Sequence, residues 1–177
     1  MPGQRLEVLV DQVRRSVLCL EKHAGDFGVD ARRLTVSGHS AGAHLASFLA
    51  ATGPQETARS SLPSISGLML ASGIYDLSGI PDSFLRDEAQ MTAAEATAWS
   101  PLTSNKLACP QRIIAFGSEE TYPFHKQAAA LHTQLHAQDS ASELLPVPSL
   151  NHTSVVLDLA DPAGYLGGRV ANMISSL

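Results

Sequence analysis

Leu34-Thr35-Val36-Ser37-Gly38-His39-Ser40-Ala41-Gly42-Ala43 decides how this chain is read. The apolar run Leu34 to Val36 gives way to a Gly-x-Ser-x-Gly turn, and a small-residue helical run follows from Ala43 to Ala51. The order is strand, sharp turn, helix. At such a turn a serine is held in a tight backbone conformation with its hydroxyl exposed. Glycines two residues to either side leave room where a side chain would collide with the neighbouring strand or helix. The turn also aims the Ala41 amide and the start of a helix dipole at the place where an oxyanion would form. Ser40 is therefore the candidate nucleophile and Ala41 the candidate oxyanion donor.

Working outward, Leu6, Leu9, Val10, Val13, Val17 and Leu20 recur at helical spacing, giving an amphipathic helix that fades between His23 and Gly28. Beyond the elbow helix, which Gly53-Pro54 stops, a polar connection leads to Gly67-Leu68-Met69-Leu70-Ala71-Ser72, a buried parallel strand. Residues 76–106 read as loop, with Arg86-Asp87-Glu88 exposed, and Thr92-Ala93-Ala94-Glu95 is a capping box that starts a short helix towards Trp99. Pro110 precedes a third strand over 112–117, and Pro123 to Gln138 is a helix with Leu131 and Leu135 on one face. Pro146 cannot donate to a ladder, so Glu143 to Val147 is placed at a sheet edge. Helices over 153–159 and 164–176 close the chain. Four strands alternating with helices, without repeat or linker, make one α/β unit over 1–177 with a mostly parallel sheet.

The chain has 177 residues, 44% apolar and 16% charged, which suits one folded domain with a real core. A net charge of -5 without a basic stripe argues against nucleic acid and anionic membranes as partners. Cys19 and Cys109 form neither a metal-type pair nor a disulfide framework, so a reduced, cytoplasmic setting is expected. The first residues lack the signature of a secretory signal, and no apolar run approaches the ~20 residues that span a bilayer.

A serine at its free pKa is a weak nucleophile; it needs a histidine base, and the base needs an acid to fix its tautomer. In a strand-based elbow the chain order is serine, acid, histidine. Of seven histidines, His39 and His44 lie beside the elbow, His125, His132 and His136 sit on or near one helix, and His23 precedes the elbow. His152, in a loop after the last strand, is the candidate base. Glu120 after the third strand is the favoured acid, with Glu119 and Asp76 as alternatives, whereas Asp161 falls after the histidine. His132 and His136 stand at i, i+4 without the glutamate or cysteine of a metal motif, so a solvated helix face is expected and no metal is assigned. Trp99 and Phe84 read either as pocket lining or as packing beneath a rim.

The segment Leu34 to Ala46 resembles the elbow of α/β-hydrolases of the kynurenine formamidase (arylformamidase) and carboxylesterase group. Gly117-Ser118-Glu119-Glu120-Thr121-Tyr122-Pro123-Phe124-His125-Lys126-Gln127 resembles that family's acid loop, with Glu120 where an aspartate is usual, and Asn151-His152 with Leu157 to Pro162 resembles its histidine loop. The resemblance implies a cofactor-free serine hydrolase acting on a small ester or formamide, arylformamide hydrolysis first and general ester hydrolysis as the alternative. Ser40 would attack, His152 would relay the proton, Glu120 would orient His152, and the Ala41 amide would stabilise the oxyanion.

Members of the family carry, ahead of the elbow, several strands and a His-Gly-Gly-type loop with a second oxyanion donor, whereas one helix precedes Leu34 here. The chain therefore reads as the carboxyl-terminal portion of the fold, with the nucleophile strand open along one edge. The expectations are a fragment of a full hydrolase, a homo-oligomer in which another copy covers that edge, or a non-catalytic remnant. Loss of one oxyanion donor costs about 10²- to 10³-fold in turnover.

Overall fold

Short apolar runs bounded by glycine and polar turns are too brief for stable helices and pair instead as strands. The computed structural model describes residues 3–54, 56, 63–106, 109, 111–138 and 140–176; Pro110 and part of the polar connection after the elbow helix lie outside them. Along the chain run α1 (Leu6–His23), β1 (Thr35–His39), α2 (Ala41–Ser47), β2 (Ala51–Thr52), β3 (Gly67–Ala71), α3 (Arg86–Ala89), α4 (Ala93–Ala98) and β4 (Asn105–Lys106). Then follow β5 (Gln111–Gly117), α5 (Tyr122–Ala137), β6 (Glu143–Val147), α6 (Ser154–Ala160) and α7 (Tyr165–Ser175). The main sheet is parallel throughout, in the order β1-β3-β5-β6.

Alternating side chains of the strands feed two apolar layers. Leu68, Leu70, Ile114 and Phe116 pack on one face against Val17 of α1, Ala43 and Ala46 of α2, and Leu131 and Leu135 of α5. Met69, Ala71, Ile113 and Ala115 face the other way and are covered by Val155 of α6 with Leu166 and Met173 of α7. Central β3 is buried along its whole length, in keeping with its unbroken apolar sequence. The two outer strands are β1, which is only half-buried with Ser37 exposed, and β6, where Pro146 faces solvent as its missing N–H requires.

Three local expectations are corrected. The elbow helix ends at Ser47 rather than continuing to Ala51; a 3₁₀ turn, Phe48–Ala50, leads into β2, which pairs antiparallel with β4. Arg14 is the physical reason: from α1 it donates to the carbonyls of Phe48 (3.0 Å) and Ala51 (2.8 Å), which fixes the chain where it leaves the helix. Arg86-Asp87-Glu88, expected as loop, forms the exposed single turn α3. The third correction concerns the elbow glycines. A Cβ on Gly38 would collide with the Gly42 carbonyl, as expected of a close strand–helix approach, but a Cβ on Gly42 would meet nothing within 4 Å.

The two glycines should therefore answer substitution with opposite signs. Gly38→Ala forces backbone apart and is expected to cost about 2–3 kcal/mol, whereas Gly42→Ala replaces a helical glycine in open space and should add roughly 0.5–1 kcal/mol. Urea unfolding midpoints of the two variants check this.

Because the sheet is parallel, the carboxyl ends of all its strands lie at one end of the sheet, where ligand sites of open α/β sheets form. The loops after β1, β3, β5 and β6 therefore converge there. Among the described residues no helix is long and apolar enough to cross a membrane.

Candidate active site

Ser40 occupies the bend between β1 and α2 with φ 55° and ψ −121°, a left-handed conformation that a non-glycine residue adopts at a cost of about 1–3 kcal/mol. The bend is pinned by main-chain bonds: Ser40 N–H donates to the Ala71 carbonyl (2.9 Å), and the Ser40 carbonyl accepts from Ala43 (3.0 Å) and His44 (3.2 Å). Its hydroxyl does not cap the helix. Ala41, the first helical residue, is exposed, and its N–H belongs to the first turn, where amides lack intrahelical acceptors.

At the end of β5 the chain turns through Gly117 to Glu120, whose N–H donates to the Gly117 carbonyl (3.1 Å). This turn is laced to the loop after β6: Ser118 and Glu119 amides donate to Val147 (2.8 Å) and Leu150 (2.9 Å), and Ser118 Oγ accepts from the Ser149 amide (2.9 Å). Gly117 is required at this junction, since a Cβ there would collide with the Leu150 carbonyl. Asn151 then shapes the following turn, its Oδ1 accepting from the Thr153 and Ser154 amides, each at 3.0 Å.

These constraints deliver His152 to Glu120: His152 Nδ1 lies 3.0 Å from Glu120 Oε1. A carboxylate only accepts, so Nδ1 carries the proton and Nε2 is left with a free lone pair, the tautomer of a general base. The Glu120 side chain is fully buried, while the His152 side chain is 38% exposed. Glu119 is exposed on the same turn. Asp76 uses its Oδ1 to accept from the Ser78 amide (2.9 Å), an Asx turn, and Asp161 does the same for Ala163 (2.9 Å).

Ser40 is tied to this pair through its neighbour. His39, the last residue of β1, donates from Nε2 to the His152 carbonyl (2.8 Å), and the two rings lie 4.5 Å apart. Phe124 stacks on His152 at the same separation. Burial is the main cause that holds the His39 pKa below its ordinary 6.5, and the carbonyl acceptor requires the ring proton on Nε2. Sequence reasoning placed His39 beside the elbow without giving it this contact. The usable signal was its position as the last strand residue, facing the loop end of the sheet.

His39→Ala should loosen the histidine loop and lower kcat about tenfold with little change in KM, and His39→Gln, which keeps an N–H donor, should recover most of the loss. Steady-state kinetics on the three proteins decide it.

The three histidines of α5 have other partners. His125 Nε2 meets the Gly117 carbonyl (3.2 Å), and His132 and His136 lie 4.4 Å apart, contacting Ser142 Oγ (2.8 Å) and the Ser142 carbonyl (3.2 Å). Trp99 packs edge-on against Phe48, and Phe84 is exposed on the surface.

Residues 1–156, a span that takes in the elbow, the acid turn and His152, match the Abhydrolase_3 family, described as an alpha/beta hydrolase fold. The chain belongs to that family. Two kynurenine formamidases are similar to it: that of Salmo salar, 30% identical over 180 residues, and that of Danio rerio, 29% identical over 180 residues. Both alignments take in 98% of this chain and 59% of the relative, so the chain spans about three fifths of their length. Solved alpha/beta hydrolases share the architecture. An esterase from the Planctomycetes species Thermogutta terrifontis superposes with a TM-score of 0.70 at 17% identity, over 98% of this chain and 64% of that one. A truncated carbohydrate esterase from gut microbiota gives 0.73 at 13% identity, over 94% and 67%.

Proposed function

We propose that this chain carries the nucleophile, base and acid of a serine hydrolase acting on a small formamide or ester, with arylformamide hydrolysis as the leading reaction. The observation that carries the reading is the His152–Glu120 hydrogen bond, held against the elbow by His39. The names of the two fish relatives favour the formamide among acyl substrates.

In this reading Ser40 Oγ attacks the carbonyl carbon as His152 Nε2 takes its proton, and buried Glu120 holds the ring and stabilises the imidazolium. The Ala41 N–H, at the positive end of α2, donates to the developing oxyanion. His152 then returns the proton to the leaving amine or alcohol. Water, deprotonated by the same nitrogen, releases the acid from the acyl-serine and regenerates Ser40. A further strand beside the open edge of β1, from a second copy of the chain, belongs to the same proposal.

A fluorophosphonate probe should label the folded chain at Ser40, and Ser40→Ala should abolish the labelling; an unlabelled, folded sample would instead favour a non-catalytic remnant. Comparing turnover of N-formylkynurenine with that of p-nitrophenyl acetate separates formamidase from general esterase.

A further inference from the structure

Beside the elbow, α1, α2 and the segment between β3 and α4 line an open-mouthed cavity of about 210 Å³. Its walls include Leu6 from α1, Ala41, His44 and Leu45 from α2, and Ile80 and Leu85 from the intervening segment. Ala41, whose amide faces the oxyanion position in the reading above, is part of this wall, so the cavity and the nucleophile share a boundary. Among the described residues no Asp, Glu, Lys or Arg lines it. The one titratable wall residue, His44, is spent: its Nε2 donates to the Trp99 carbonyl (2.7 Å), and burial keeps the ring neutral.

Size and chemistry limit what fits. An apolar cavity of about 150 Å³ holds benzene, and drug-sized ligands need about 300 Å³ or more. The space here suits a single substituted ring or a chain of roughly six carbons. A carboxylate or ammonium entering it would lose its water with no partner in return.

We infer that this cavity is a subsite for an uncharged apolar group, a single aromatic ring or a medium acyl chain, seated against Ala41 while the scissile carbonyl lies at Ser40. The inference deepens the hydrolase reading and rests on it for the group's being part of a substrate. Any charged end of a substrate, such as an amino-acid head, then lies outside the cavity.

Two measurements separate the subsite from the reading it rests on. In the Ser40→Ala chain, ethylbenzene should raise the melting temperature by several degrees at saturation while 4-ethylbenzoate does not, and Leu85→Trp or Ile80→Phe, each filling the cavity from a partly exposed position, should cancel the response. In the unsubstituted elbow, kcat/KM for p-nitrophenyl esters should climb about fourfold per methylene from acetate to hexanoate. Leu85→Trp should flatten that rise. No response to ethylbenzene, an equal response to 4-ethylbenzoate, or a flat ester series on a labelled enzyme overturns the subsite. Ethylbenzene binding to a chain whose Ser40 never labels supports the subsite as a binding site and removes the hydrolase reading.

Discussion

Glu120→Gln should lower turnover about 10⁴-fold, the scale seen when a triad acid is replaced by its amide, while leaving the melting temperature unchanged or slightly higher. The activity loss follows from the tautomer. Glu120 Oε1 accepts from His152 Nδ1, which leaves Nε2 able to take a proton. An amide NH₂ in its place donates to Nδ1 instead and shifts the ring proton to Nε2, where it blocks the base. The stability result follows from burial: the Glu120 side chain has no exposure, and its Oε2 has no hydrogen-bond partner among the described residues. Removing a buried charge with one unmet oxygen relieves a desolvation cost. Glu120→Asp, a methylene shorter on an acid turn pinned by the Gly117–Leu150 contact, should fall between. Matched kinetics and thermal melts test the pair, since a variant that lost activity by unfolding would lose both.

Arg14→Met should destabilise the chain by about 3–5 kcal/mol, or roughly 6–20 °C in melting temperature for a chain this size. Arg14 is 3% exposed and donates to the Phe48 and Ala51 carbonyls as well as to Glu56, at 2.6 Å and 3.1 Å. Methionine matches the stem and deletes every donor, so the Phe48 and Ala51 carbonyls lose these partners and the Glu56 carboxylate keeps, among the described residues, only the Gly53 amide. The acid-side profile carries the same signature. Burial alone would raise the Glu56 pKa, but the Arg14 hydrogen bonds, the Gly53 amide and the Arg14 charge together hold it below its ordinary 4.5. A depressed carboxylate contributes stability that is full above its unfolded pKa and is lost as pH falls through the folded one. Unfolding midpoints measured downward from pH 6 should therefore fall in the parent protein, and this component of the fall should vanish in Arg14→Met.

The sheet was legible because its strands are short apolar runs with glycine or proline at their ends, and Pro146 correctly marked an outer position. The elbow was legible because its glycine spacing has a steric cause, although only Gly38 meets a neighbour and Gly42 does not. Chain order singled out His152 and favoured Glu120 as its acid, with Glu119 and Asp76 left as alternatives; the turn at Gly117 then buries Glu120 against His152 and leaves Glu119 exposed, a distinction that two adjacent glutamates do not carry in sequence. Arg14 was hidden because a charged residue in an amphipathic helix reads as solvated unless its distant acceptors are known. The β2–β4 ribbon was equally silent, since two residues per strand leave no period to detect. The apolar cavity arises from residues as far apart as Leu6 and Leu85, which local patterning does not connect.

The two outer strands of the sheet differ in a way that bears on handling the protein. Pro146 blunts one rim, but β1, Thr35 to His39, carries neither lysine nor proline to guard the other. An unguarded rim offers main-chain donors and acceptors to any extended peptide that drifts past. With only one such rim per molecule, concentrated solutions of the isolated chain are expected to pair two by two through that side and stop there, and a lysine at Ser37, the residue that faces water, is the simplest way to keep the copies apart.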